Sequence, residues 1–131
     1  MGLDSIWYMP GEKEICERED HTFEERLALH PTFDPELKLV GGMFSGNGRQ
    51  SFRGKAYYEF VEQVTGVSLY QDDIDNATIR KMADALEAHE LTPDESRELS
   101  YCDRKGEDEF NDLKRMFRTY ADAGAFLHGW W

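Results

Sequence analysis

Residues 107–131, EDEFNDLKRMFRTYADAGAFLHGWW, hold the change of period that decides the fold. Phe110, Leu113, Phe117, Tyr120 and Ala121 recur at helical spacing, acids fill the first turn where the helix dipole favours them, and Gly124 stands where a left-handed residue ends a helix. The spacing predicts a helix from Glu107 to Ala123. Beyond it, Ala125–Trp131 reads as a closing strand or packed tail, and a strand at the end of the chain needs a sheet to join. Trp130 and Trp131 are costly to expose and are expected to dock into the core; the alternative is a stacking surface.

Working outward, residues 3–9 (LDSIWYM) are rich in strand formers and stop at Pro10-Gly11, which predicts a strand and a turn, with a partner strand around Glu14–Arg18. Phe23–Leu29 predicts a short helix that ends before His30-Pro31, because a residue preceding proline avoids helical torsions. Leu37–Val40 reads as a short strand feeding a glycine-rich segment. A helix is expected from Ser51 to Thr65, with Phe52, Ala56, Phe60, Val61 and Val64 on one stripe and Gly66 beyond its end. Another opens with Asn76 as cap and Ile79, Met82, Ala83 and Leu86 as its apolar face. Thr92-Pro93-Asp94-Glu95 starts a third, ending by Leu99. The expectation is a single α+β domain over residues 1–131, with a small mixed or antiparallel sheet and three to four helices; irregular alternation argues against a doubly wound sheet.

The chain has 131 residues, 15 Lys and Arg against 27 Asp and Glu, and 13% aromatic residues. A net charge of −12 repels polyphosphates, which disfavours general nucleic-acid binding, and no nucleic-acid partner is expected. No apolar run approaches the length of a membrane span and the first residues lack a secretory pattern, so the chain reads as soluble, cytoplasmic and without a membrane partner. Cys16 and Cys102 are too few for a disulfide framework and read as reduced thiols.

One segment reverses the charge. Leu37–Tyr58 contains no acid, while Lys38, Arg49, Arg53 and Lys55 give it +4, and five of the eleven glycines fall within it, at 41, 42, 46, 48 and 54. Glycine lets backbone N–H groups approach a ligand closely, the geometry of anion-binding nests. With a helix starting at Ser51, Arg53 and Lys55 would sit in a first turn whose dipole they oppose by about 0.3–1 kcal/mol each, which calls for a negative partner. The candidate ligand-binding residues are therefore Ser45, Gly46, Asn47, Gly48, Arg49, Ser51, Arg53 and Lys55, with Phe44 or Trp130 placed to stack a base. The competing reading is a tight irregular connection whose cations pair with some of the acids. The string is no Walker A motif, since five residues separate Gly48 from Gly54 and Ala56 stands where that motif has Ser or Thr. It also lacks the third glycine of a dinucleotide fingerprint.

His21, His30, His89 and His128 show no metal-ligand spacing, and neither Gln71–Asn76 nor Asp103–Glu109 has the pattern of a calcium loop. No metal and no cofactor are expected. Without a nucleophile elbow or a cysteine beside a histidine, no catalytic residue is nominated, and a small hydrolase is the weakest reading.

The strings MGLDSIW, GGMFSGNGRQSFRGK, SLY at Ser68–Tyr70 and the final GWW resemble small uncharacterised prokaryotic and phage-type proteins. The resemblance implies no established activity and transfers no catalytic residue. It implies a small accessory protein, a setting that suits sequestration of nucleotide signals or mimicry of nucleic acid. Two functions are carried forward. The first is binding of a phosphate-bearing, nucleotide-like small molecule through the basic glycine-rich loop. The second is an acidic protein that mimics nucleic acid and occupies a basic protein partner, using the seven acids between Glu12 and Glu25.

Overall fold

Strand β1 (Asp4–Tyr8) is the hub of the sheet, because both of its edges are filled. The computed structural model describes residues 2–43, 46–100 and 104–131. In chain order β1 is followed by helices α1 (Glu12–Cys16) and α2 (Phe23–Leu27), strand β2 (Ser51–Phe52), a single 3₁₀ turn (Gly54–Ala56) and α3 (Tyr58–Thr65). Then come β3 (Asp73–Ile74), α4 (Asn76–Ala88), α5 (Pro93–Glu98), α6 (Gly106–Asp122) and β4 (Phe126–Trp130). The four strands form an antiparallel sheet in the order β2-β1-β4-β3, so the architecture is α+β as expected.

The register sorts side chains onto two faces. Trp7 lies opposite Leu127, Ser5 opposite Phe52 and Gly129, and Ile74 opposite Leu127; this face is covered by α4 and α6 and is the core. Trp7 is fully buried, stacked at 4.4 Å on Tyr120 and edge-on at 5.3 Å to Phe117, so α6 is fixed to the sheet by aromatic contacts. Ile6, Tyr8, Ser51, Phe126, His128 and Trp130 point the other way, toward the face on which α2 lies.

The last strand occupies the middle of the sheet, but its two indoles are not core: Trp130 and Trp131 are 56% and 49% exposed. Alternation gives the inward positions of β4 to Leu127 and Gly129. Gly129 is required there, since a Cβ would meet the Gln71 carbonyl oxygen at 2.5 Å. Docking of the tail is thus achieved by its backbone and by Leu127, not by the tryptophans.

Four local expectations are corrected. Glu14–Arg18 is not a strand: α1 takes its first three residues and a turn follows, because β2 and β4 already hold both edges of β1. Leu37–Val40 is irregular, its buried leucines pointing inward while side chains bond its backbone: Asp112 accepts the Lys38 N–H and the Tyr57 hydroxyl accepts the Val40 N–H. The cap of α4 is Asp75, which accepts the Thr78 N–H at 2.9 Å, whereas the Asn76 amide donates to the carbonyls of Ala121 and Ala125. Finally, no helix starts at Ser51: residues 51–52 pair with β1, and α3 begins only at Tyr58. The apolar residue Phe52 belongs to the sheet, and Gly54 brings the chain against Leu3 and Ser5, where a Cβ would lie 2.3 Å from the serine Oγ. α5 starts where expected, with Thr92 as the capping side chain and Pro93 at its first position, and Glu95 completes a capping box with Thr92.

Candidate functional site

The structure disperses the cations of the glycine-rich segment. Arg49 donates to the carbonyls of Pro31 and Leu27, capping the end of α2. Arg53 pairs with the buried Asp4 at 3.1 Å. Lys55 lines a separate shallow pocket with Glu59 and Glu98. Asn47 donates to the Leu37 carbonyl and shares a small cleft with Arg49, Gly48 donates to Ser51, and Gly46 has its backbone against that serine. Ser45 and the proposed stacking residue Phe44 lie outside the described residues, as does Cys102. No helix N-terminus opens at Ser51, and Arg49 and Arg53 serve as internal ties, Arg49 to backbone carbonyls and Arg53 to an acid.

A different concavity gathers chemistry on the outer sheet face. A groove of about 280 Å³ is lined by Ile6, Tyr8, Phe23, Arg26, Gln50, Ser51 and Trp130. Alternation along β1 and β4 supplies Ile6, Tyr8 and Trp130, and the short helix α2 supplies Phe23 and Arg26. Trp130 and Phe23 (52% exposed) present open aromatic surface, while Tyr8 stacks on Phe126 at 5.2 Å and carries the Arg26 guanidinium over its ring at 5.9 Å. Of the described residues nominated from sequence, Ser51 and Trp130 line this groove.

Beneath the groove lies a buried polar chain that sequence spacing did not reveal. Glu12 and His30 have fully buried side chains; the Glu12 carboxylate contacts His30 Nε2 at 2.7 Å, accepts the Met9 N–H at 2.9 Å and accepts Arg26 Nε at 3.2 Å. His30 Nδ1 meets the Tyr120 hydroxyl at 3.0 Å, and that hydroxyl accepts the Gln50 N–H at 2.8 Å. Burial pushes the Glu12 carboxyl up, but the bonds from His30, Met9 and Arg26 outweigh it and hold it below the usual carboxylate range. Burial pushes the Tyr120 hydroxyl well up, so it stays protonated. Gln50, which forms one wall, has φ +77°, a left-handed conformation that side chains other than glycine adopt at a cost.

The chain matches no known family, no curated protein and no solved structure.

The remaining histidines are engaged singly: His89 with Glu95, His128 with Asp73, and His21 with the Arg18 carbonyl. Among the described residues no three or more His, Cys, Asp or Glu converge to hold a metal ion. None of the described helices is long and apolar enough to cross a membrane. The sequence signal for the groove is that four of the six outward positions of β1 and β4, Ile6, Tyr8, Phe126 and Trp130 but not Asp4 and His128, are apolar or aromatic where a solvated sheet face carries polar residues.

Proposed function

We propose that the protein binds a small, phosphate-bearing, nucleotide-like molecule in the groove between β1, β4 and α2. The observation that carries this reading is the meeting of Arg26 with the aromatic rings of Tyr8, Phe23 and Trp130 around one concavity. A planar base stacks on the rings, the guanidinium faces the anionic group, and Ser51 and Gln50 add hydrogen-bonding capacity. The glycine-rich segment contributes indirectly, since it shapes the turn that delivers Gln50 and Ser51. The test is a titration of intrinsic tryptophan fluorescence with mono-, di- and cyclic nucleotides. Wild type is expected to bind, with affinity falling tenfold or more in Arg26→Ala and Trp130→Ala and unchanged in Lys55→Ala. No affinity for any nucleotide at millimolar concentration overturns the reading.

A second reading is favoured by one feature. Glu14, Glu17, Glu19, Asp20, Glu24 and Glu25 are all exposed on and between α1 and α2, with Arg18 pairing two of them. Such a ridge suits a basic protein partner. Calorimetry with a polybasic polypeptide should then show an affinity that falls steeply with salt and is weakened by Glu→Lys changes at 14, 17 and 24.

A further inference from the structure

The proton positions in the buried chain follow from its chemistry. A backbone N–H only donates, so Gln50 occupies a lone pair of the Tyr120 hydroxyl, and an ionised carboxylate only accepts. The arrangement that satisfies every group has His30 neutral, with Nε2–H donating to Glu12 and Nδ1 accepting the Tyr120 O–H. In that state the carboxylate is balanced by Arg26, through one bond of 3.2 Å from a guanidinium that also lines the groove.

We propose that Arg26 and a proton on His30 are alternative partners of the buried Glu12 carboxylate, so that an anion which draws Arg26 into the groove is bound together with a proton. The ligand half of this statement rests on the groove being the binding site; the competition itself does not. Glu12 is fully buried and cannot recover its lost partner from water. The other groups around the chain do not take over the role. Arg49 is held by the carbonyls of Pro31 and Leu27, the Cys16 thiol on α1 lies beside Tyr8, and burial pushes the hydroxyls of Tyr8 on β1 and Tyr120 on α6 up, so both keep their protons. Withdrawing one cation from a carboxylate shared with an imidazole raises the imidazole's proton affinity. The incoming proton comes from solvent and lands on Nδ1, so the Tyr120 O–H turns away from His30 and the brace on Gln50 changes with it. Groove affinity for an anion therefore rises as pH falls.

The first test needs no ligand. The His30 ring titration is followed by NMR in wild type, Arg26→Gln and Arg26→Lys, with His30→Gln used for assignment. The midpoint is expected to rise by about one pH unit in Arg26→Gln and to stay near wild type in Arg26→Lys. An unchanged or lowered midpoint in Arg26→Gln overturns the proposal. The second test keeps the protein unaltered and uses adenosine 3′,5′-cyclic monophosphate, whose phosphodiester keeps one charge across this pH range. Calorimetry in two buffers of different ionisation heat should show uptake of up to one proton on binding, absent in His30→Gln. Binding without proton uptake overturns the coupling and leaves the groove standing. A shifted midpoint with no binding of any nucleotide overturns the groove reading and leaves the competition standing.

Discussion

The hydroxyl of Tyr120, near the end of α6, accepts the backbone N–H of Gln50 at 2.8 Å, and the Gln50 carbonyl in turn accepts the Trp7 N–H at 2.7 Å. A left-handed glutamine is thereby held between the last helix and the first strand, which sets where Gln50 and Ser51 face the groove. Removing the hydroxyl alone in Tyr120→Phe leaves the buried Gln50 N–H and His30 Nδ1 to find other partners, at about 1–3 kcal/mol for each group left unsatisfied. Ring stacking on Trp7 survives in that variant. Denaturant unfolding is expected to show the loss with unchanged m-value, and Tyr120→Leu to cost more because the 4.4 Å stack goes too.

Glu12 gives the fold a pH dependence of definite sign. Its carboxyl titrates below the ordinary 4.5 in the folded chain, so the unfolded chain binds the proton more readily. The stability it contributes is complete above pH about 5 and is lost as pH falls through the lowered folded value. Thermal melts between pH 7 and pH 3 should show wild type losing more stability over this range than Glu12→Gln, which starts lower and declines less. Equal slopes for the two proteins would remove Glu12 from the acid response.

The tail separates strand from side chains. Deleting Trp130 and Trp131 removes indoles that are each about half exposed, and the melting temperature should fall by only a few degrees while nucleotide affinity falls tenfold. Leu127→Ala, at a position 1% exposed in the central strand, is expected to cost about 2–5 kcal/mol and to spare affinity in whatever remains folded.

Arg53 and Lys55 part company. Arg53→Ala leaves the Asp4 carboxylate, 4% exposed, with the Met43 N–H but without its cation, and should destabilise by on the order of 2 kcal/mol. Lys55 is exposed, and Lys55→Ala is expected to stay within about 0.5 kcal/mol of wild type in urea denaturation.

Helices α4 and α6, the N-terminal and C-terminal strands and the start of α5 are legible because each is written in local chemistry: an apolar period, a capping threonine, a glycine stop. Ser51–Phe52 was misread because Phe52 and Ala56 fit a helical stripe equally well when no sheet is in view, and the choice fell to β1, which had an open edge for them. The same competition for edges turned Glu14–Arg18 into α1. Composition and periodicity suffice for an acidic α+β chain with one basic, glycine-rich segment. That Arg49 and Arg53 of that segment are internal ties, and that Glu12, His30 and Tyr120, separated by 18 and 90 residues, form one buried chain under an aromatic groove, follows from packing across the fold. The reason is physical: a charge is satisfied by whatever partner folding brings within hydrogen-bond distance, and spacing along the chain carries no record of that distance.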